Sequence, residues 1–302
     1  MARHINTSEI EMERAPIAGT SLEVSRVALG TWAIGGWMWG GTDEAESIAT
    51  IRAAVERGIN LIDTAPAYGF GRSEEIVGKA IAEGHLRSQV LIATKTGLAW
   101  EGGRVFRNAS RARILQEVED SLRRLRTDHI DVYQVHWPDP LVTIEETAEA
   151  MQSLFKQGKI RAIGVSNFSV RQMECFRRVA PLHVLQPPYN LFERGIEADI
   201  LPYCRKNRLR PLATAHSAAA FCPDASGWTA DSKATIFAAP IQNFSSRASA
   251  STSLQWNGSI SSRSGASARG SSIWRFAGRS IKESRRHCGA RATPASCNRS
   301  TR

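Results

Sequence analysis

Short apolar runs alternate with amphipathic stretches from about residue 27 to residue 215. A short apolar run bounded by turn residues is typical of a buried strand, and apolar residues that recur every three or four positions are typical of a helix. The pattern predicts seven strands, at Val27–Thr31, Ile59–Asp63, Val90–Lys95, Ile130–His136, Ile160–Val165, Val184–Gln186 and Leu209–Thr214. Between these strands we expect helices at about 43–57, 73–82, 112–124, 144–156, 171–179 and 197–206.

Strands that alternate with helices of this length indicate parallel βαβ units. So many consecutive units favour a (β/α)8 TIM barrel over an open sheet, here an incomplete one with strands 1–7 recognisable and the C-terminal units lost. A dinucleotide-binding Rossmann sheet would open a helix directly after its first glycine-rich turn. In this chain Gly30 begins such a turn, but no helix is expected before Asp43. The segment Ile17–Val27 is expected to form a small hairpin that closes the floor of the barrel.

The composition adds little to this assignment. The chain has no apolar run long enough to cross a membrane, and its N-terminus lacks the apolar region of a secretory signal. Its five cysteines are scattered without a Cys-x-x-Cys spacing, which argues against a disulfide framework or a zinc site. We therefore expect a cytoplasmic protein that binds neither membrane nor metal, and the sequence does not indicate an oligomeric state.

The net charge of +10 is concentrated in one segment. Residues 216–302 carry 12 basic and 3 acidic side chains, whereas the other residues carry 27 and 26. The same 87 residues include 19 serines and show no sustained apolar period, which is typical of disorder. We expect an N-terminal extension at 1–14, a barrel at 15–215, and a disordered or irregular tail at 216–302.

Four polar residues lie at the predicted carboxyl ends of successive strands or just beyond them. Asp63, Lys95 and His136 end strands 2, 3 and 4, and Tyr68 lies in the loop after Asp63. Each one alone has an ordinary explanation, as a helix cap, a rim charge, a structural histidine or a packing residue. Together they indicate an active site, because side chains at this end of a barrel converge on one place.

This set of residues suits the reduction of a carbonyl group. A phenol has a pKa of about 10, and a nearby ammonium favours its ionised form. Lys95 could therefore lower the pKa of Tyr68 and make it a better proton donor, while Asp63 holds Lys95 charged and oriented. His136 could donate a hydrogen bond that orients the carbonyl oxygen. The hydride would come from a cofactor.

Five stretches of this sequence closely resemble the aldo-keto reductase family, in family order. They are GINLIDTAPAYG at 58–69, IATK at 92–95, YQVHWPD at 133–139, KIRAIGVSNF at 159–168 and QPPYN at 186–190. The resemblance covers about residues 15–215. Within the family, the sequence is most similar to the bacterial stress-protein-like branch.

The resemblance implies a barrel fold and an oxidoreductase that transfers hydride between NADPH, the family's usual cofactor, or NADH and a small aldehyde, ketone or alcohol. It implies that Tyr68 is the general acid and base, with Asp63, Lys95 and His136 as its partners. The tryptophans Trp32, Trp37 and Trp39 would line the substrate mouth, with ordinary packing as the alternative. The residues expected to bind or border the cofactor are Gly30, Thr31, Trp32, Asp63, Ser166, Asn167 and Gln186; for Ser166 and Asn167 a helix cap is the alternative.

The family pattern stops just after Thr214, where a seventh strand ending in an aromatic residue is expected to continue. Back-translation of residues 214–222 with one added base can be read as Tyr-Gly-Ala-Leu-Cys-Arg-Gly-Leu-Leu, which resembles that continuation. We therefore hypothesise a single-base frameshift near codon 214. A barrel without its last strand would leave edges exposed, so we expect this chain to be poorly folded or weakly active.

Other functions remain open at this point. Lys95 could form a Schiff base in an aldolase, or Asp63 and His136 could serve a metal hydrolase, although no third ligand is apparent. A non-catalytic nucleotide-binding barrel is a further alternative, as is an inactive truncated or frameshifted product. The tail's Trp256 and Trp274 among arginines could stack on nucleic-acid bases, but we expect no nucleic-acid partner.

Overall fold

A computed structural model describes residues 12–214 and the backbone of residues 235–238. The predicted N-terminal extension lies almost entirely outside the described residues. The same is true of the predicted tail apart from 235–238, so the proposed domain division and the frameshift hypothesis stay predictions.

Seven parallel strands form the central sheet, and a helix lies between each of them and the next along the chain. They are β3 (Val27–Gly30), β4 (Leu61–Asp63), β5 (Leu91–Thr96), β8 (Val132–Val135), β9 (Ile163–Ser166), β10 (Val184–Gln186) and β11 (Arg210–Pro211), and they lie in the sheet in chain order. The predicted seven-strand α/β barrel architecture is confirmed as a curled parallel half-barrel. Five of the seven strands begin one to three residues later than predicted, because ladder pairing begins later than the apolar runs do.

The helices begin at residues whose side chains satisfy free backbone N–H groups. Asp43, Ser110, Thr143 and Ser169 each accept a hydrogen bond from a backbone N–H of the first turn. Each helix lies within three residues of its predicted position at either end. The helices are α1 (Glu44–Glu56), α2 (Arg72–Glu83), α3 (Arg111–Leu125), α4 (Ile144–Lys156), α5 (Val170–Arg177) and α6 (Ile200–Asn207).

Strand alternation separates two apolar cores. Ile62, Ile92 and Tyr133 point outward into the large core under the helices. Their neighbours Leu61 and Ala93 point inward, into a small core that fills the barrel. Since successive side chains of a strand point to opposite faces, this alternation also decides which polar residues at the strand ends face the interior.

Two hairpins and one further strand complete the fold. The predicted floor hairpin is present as β1 (Arg14–Pro16) and β2 (Glu23–Ser25). A hairpin that the sequence analysis missed, β6 (Leu98–Glu101) and β7 (Arg104–Arg107), turns at two positive-φ glycines, which are a recognisable hairpin signal.

The last described strand, β12 (Thr235–Ala238), pairs antiparallel with β3. Within the described residues no ladder joins β12 to β11, so the sheet is open there. Residues 235–238 belong to the segment predicted to be irregular. None of the helices in the described part of the chain has the length and apolarity to cross a membrane.

Candidate active site

Inward-pointing polar side chains gather at the carboxyl ends of five neighbouring strands. Asp63, Lys95, Gln134, Ser166 and Gln186 all share the parity of the residues that form the inner core, and all are buried. Ladder register places Lys95 opposite Gln134 and Ser166 opposite Gln186. The sheet therefore delivers these groups to one end of the barrel.

Lys95 is the centre of this cluster. Its ammonium nitrogen donates to both carboxylate oxygens of Asp63, at 3.0 and 2.9 Å, and to the carbonyl oxygen of Thr64 at 2.9 Å. It also donates to the hydroxyl oxygen of Tyr68 at 3.2 Å and lies 4.9 Å from the centre of the Tyr68 ring. The structure thus brings Asp63, Lys95 and Tyr68 together in hydrogen-bond contact.

Two amides complete the surroundings of Asp63. The side-chain N–H groups of Gln186 and Gln134 donate to the same oxygen of Asp63, at 3.2 and 3.4 Å. Gln134 was not among the residues predicted from the sequence. Its signal was available, because Gln134 precedes His136 by two residues and therefore has the same inward parity.

Close backbone contact fixes the loop that carries Tyr68. A Cβ atom on Gly69, whose φ is +66°, would lie 2.1 Å from the carbonyl oxygen of Gly35. A Cβ on Gly35 would in turn lie 2.6 Å from the Tyr68 carbonyl group. Both positions therefore require glycine for the phenol to reach Lys95.

Burial changes the expected acidity of the phenol. From the sequence, Lys95 was expected to lower the pKa of Tyr68, but burial raises that pKa more than the charge of Lys95 lowers it. That expectation was wrong in net direction, because the phenol is almost wholly removed from water. Burial also opposes the ammonium form of Lys95, yet Asp63 and Tyr68 outweigh it and raise the pKa of Lys95. At neutral pH the phenol is protonated and the ammonium is charged.

His136 lies beside the phenol. Its ring centre is 5.9 Å from that of Tyr68, and the two rings are nearly perpendicular. The side-chain amide of Asn167 donates to the carbonyl oxygen of His136 at 3.1 Å and to the hydroxyl of Ser166 at 3.0 Å. Asn167 has a φ of +62°, which turns its side chain back over the strand ends.

Of the residues at the first strand end, Gly30 and Thr31 are buried. The Thr31 backbone N–H donates to the carbonyl oxygen of Asp63 at 2.9 Å. Trp32 is half-buried, with its ring centre 6.2 Å from that of Tyr68. These residues therefore border the same centre.

Several aromatic rings lie near Tyr68 and pack against one another. Trp32 packs edge-on against Trp39, with ring centres 5.4 Å apart, and Trp37 packs on Phe70 at 5.0 Å. Phe70 in turn lies 5.9 Å from Trp100 of the missed hairpin. These contacts group the three tryptophans near the loop that carries Tyr68, and their lining of a substrate mouth stays a prediction. Within the part of the chain that the structure describes, no three histidine, cysteine or carboxylate side chains lie together in a way that could hold a metal ion.

The family model described as the aldo/keto reductase family matches residues 26–222. This match covers more than half of the chain and includes the buried cluster at the strand ends. The chain belongs to the aldo/keto reductase family.

Two curated relatives share extensive sequence with the chain. The aldo-keto reductase YhdN of Bacillus subtilis is 67% identical over 201 residues, which are 67% of this chain and 61% of the relative. The NADH-specific methylglyoxal reductase of Escherichia coli is 41% identical over 211 residues, 65% of this chain and 64% of the relative. The chain thus spans slightly more than three fifths of the length of these relatives.

Solved structures show the same architecture. A glycerol dehydrogenase from Gluconobacter oxydans has a TM-score of 0.63 and 57% identity, covering 66% of this chain and 62% of that one. An aldo/keto reductase from Klebsiella pneumoniae in complex with NADP and acetate has a TM-score of 0.57 and 35% identity, covering 66% and 67%.

Proposed function

We propose that this chain is a carbonyl reductase that transfers hydride from a nicotinamide cofactor to an aldehyde or ketone, with Tyr68 as the general acid. The observation that carries the proposal is the buried contact of the Lys95 ammonium with both the Asp63 carboxylate and the Tyr68 phenol. With Tyr68 as the proton donor, this contact would hold the donor beside a fixed positive charge.

Reduction of a carbonyl group requires a protonated donor near the oxygen that becomes negative. The raised pKa of Tyr68 keeps the phenol protonated at neutral pH. As negative charge develops on the substrate oxygen, Tyr68 gives up its proton. The Lys95 ammonium stabilises the resulting phenolate, and Asp63 keeps that ammonium in place.

His136 is proposed to orient the substrate oxygen. Its ring faces the Tyr68 ring edge-on across a short gap, so one oxygen could lie within reach of both side chains. A second donor at that oxygen fixes its direction relative to the phenol. The aromatic rings of the mouth exclude water from the same place.

The residues at the strand ends fit a nicotinamide carboxamide. Among the described residues, the side-chain oxygens of Asn167 and Gln186 accept no hydrogen bond, whereas their N–H groups donate to His136 and Asp63. These two oxygens could accept the carboxamide N–H groups, with Ser166 alongside. Gly30, Thr31 and Trp32 would border the ring, with Asp63 behind it. When bound, the nicotinamide supplies the hydride.

The relatives support NADPH or NADH as the cofactor. The Klebsiella structure contains NADP, and the Escherichia relative is named as NADH-specific. We propose NADPH as the cofactor of this chain, with NADH as the alternative, and a small carbonyl compound as the substrate.

The second candidate function is that of a family member that binds its cofactor but catalyses little turnover. The observation that favours it is the open sheet, because within the described residues β11 and β12 are not joined. Exposed sheet edges favour aggregation and loosen a site that depends on strand ends.

Cofactor binding and turnover, measured on the same preparation, separate the two candidates. The reductase proposal expects NADPH to be oxidised in the presence of short aldehydes such as methylglyoxal and to bind without them. Cofactor binding without reduction of any aldehyde or ketone in a broad panel would favour the second candidate. No binding of either cofactor by a cooperatively folded preparation would contradict the reductase proposal.

A further inference from the structure

The first turn of α2 contains a serine that contacts two strand ends. Ser73 is wholly buried, two residues after the loop glycine Gly71. Its hydroxyl donates to the carbonyl oxygen of Thr31 at 2.9 Å. The hydroxyl oxygen of Ser73 also lies 2.8 Å from the Thr31 hydroxyl oxygen and 3.0 Å from the Thr64 hydroxyl oxygen. The Ser73 hydroxyl therefore uses its one donor and both of its lone pairs.

These bonds reach each member of the buried cluster. The backbone N–H of Ser73 donates to the carbonyl oxygen of Tyr68 at 3.1 Å. Thr31 donates its backbone N–H to the Asp63 carbonyl oxygen, and Thr64 offers its carbonyl oxygen to Lys95. Ser73 therefore contacts Tyr68 directly, and it is linked through Thr31 to Asp63 and through Thr64 to the Lys95 ammonium.

The next residue ties the same turn to β5. Glu74 is wholly buried and accepts from the Thr94 hydroxyl at 2.6 Å, beside Lys95 in sequence. Its other oxygen accepts from Arg124 of α3 at 2.6 Å. The first turn of α2 is therefore fixed to β3, β4 and β5 at once and has little freedom to shift.

We propose that Ser73 is a positioning residue, whose hydroxyl sets the distance between the Tyr68 phenol and the Lys95 ammonium. The proposal rests on the proposed role of Tyr68. Without the hydroxyl, Thr31 and Thr64 lose their shared partner, and the loop between β4 and α2 loses its link to both strand ends. Tyr68 then moves relative to Lys95, although neither side chain is altered.

Ser25 provides a matched control at the opposite end of the barrel. It is 3% exposed, and its hydroxyl donates to the carbonyl oxygen of Val27 at 2.6 Å. It also accepts from the backbone N–H groups of Asn60 and Leu61, at 3.0 and 3.4 Å. Ser25→Ala therefore removes a buried hydroxyl with three partners, as Ser73→Ala does, but far from the phenol.

Fluorine NMR on protein labelled with 3-fluorotyrosine tests the proposal. The chain has four tyrosines, and Tyr68→Phe identifies the resonance of Tyr68. The measured quantity is the change in the chemical shift of that resonance when the ion pair is replaced by a neutral pair, in the double variant Asp63→Asn with Lys95→Met. This change reports how closely the phenol approaches the pair, and it requires neither cofactor nor turnover.

In the Ser73→Ala background, we expect this change to be less than half of the change seen with both serines intact. In the Ser25→Ala background, it should be as large as with both serines intact. A full change in both backgrounds would overturn the proposal. If Ser73→Ala does not fold, Ser73→Cys, which keeps a weak donor, is used in its place. A reduced change then supports the proposal and a full one overturns it.

Turnover gives a second readout. In a preparation that oxidises NADPH, Ser73→Ala should lower kcat by about 100-fold, the effect of a displacement near 1 Å, while KM for NADPH changes little. An equal loss of kcat in Ser25→Ala would assign the effect to stability and overturn the proposal. If the unaltered chain shows no turnover, the reductase proposal fails, and the fluorine result still decides the role of Ser73.

Discussion

The ammonium nitrogen of Lys95 lies 3.2 Å from the phenol oxygen of Tyr68, and both groups are removed from water. A charge at this distance acts strongly because little solvent screens it. The same burial disfavours the phenolate, so the pair combines a donor that stays protonated with a charge that stabilises the anion it leaves. This balance accounts for the pKa directions of both groups.

Replacing Lys95 should affect stability and activity separately. Lys95→Met leaves the buried Asp63 carboxylate without its cation, so we expect a loss of about 3–5 kcal/mol in unfolding free energy. Urea denaturation followed by circular dichroism measures this loss.

The double variant Asp63→Asn with Lys95→Met is the control. It removes both charges and should recover most of the lost stability while remaining inactive. Recovery of activity together with stability would show that the ion pair serves the fold alone.

A methyl group at Gly69 should displace the Tyr68 loop. The added Cβ would meet the Gly35 carbonyl oxygen at 2.1 Å, and Ala also disfavours the positive φ. We expect Gly69→Ala to lower stability by about 1–3 kcal/mol and to abolish turnover.

Gly158→Ala is the matched control for that change. Gly158 has a similar φ of +74°, but a Cβ there meets nothing within 4 Å. It should lower stability by about 1–2 kcal/mol and leave turnover intact. Equal turnover in the two variants would refute the proposed role of the close contact.

Stability should depend on pH through His183. Burial lowers the pKa of His183 below its ordinary value of 6.5, and its ring nitrogen accepts the backbone N–H of Ile163 at 3.0 Å. As pH falls through 6.5, the unfolded chain gains a proton that the folded chain does not, so stability is lost. Above 6.5 the histidine is neutral in both states and contributes no slope.

Urea midpoints at pH 5 and pH 7.5 measure this effect. His183→Gln keeps an acceptor for Ile163 but does not titrate, so its midpoint should fall less between the two pH values. The same fall in both proteins would rule His183 out as a source of the pH dependence.

Strand parity and helix periodicity made much of the fold predictable. The apolar runs located the seven strands, and the residues that end them were expected to converge before any geometry was known. Asp63, Lys95 and Tyr68 meet as expected, since a parallel barrel leaves inward-facing strand ends no other place to point.

Two other features of the site depend on three-dimensional neighbours. Ser73 reads as an ordinary residue of a helix start, and only the packing of α2 against β3 and β4 shows that its hydroxyl meets Thr31 and Thr64. The net rise in the pKa of Tyr68 was missed for the same reason. The sequence shows a nearby lysine but does not show how completely the loop buries the phenol.

The frameshift hypothesis concerns residues outside the described part of the chain. The family match ends at residue 222, shortly after the codon in question. We expect resequencing of the gene to reveal a one-base difference near codon 214 that restores the family pattern downstream. An unchanged reading frame through Thr214 would refute the hypothesis and make the basic segment a genuine part of the protein.

The most direct test of the proposed reductase is the turnover of Tyr68→Phe compared with that of Tyr203→Phe. Tyr203 lies on the outer helix α6, and no hydrogen bond to its hydroxyl is found among the described residues. With NADPH and a reactive aldehyde, we predict that Tyr68→Phe loses about 100-fold to 10,000-fold in kcat while Tyr203→Phe keeps its rate. Full activity in a folded Tyr68→Phe variant would contradict the account.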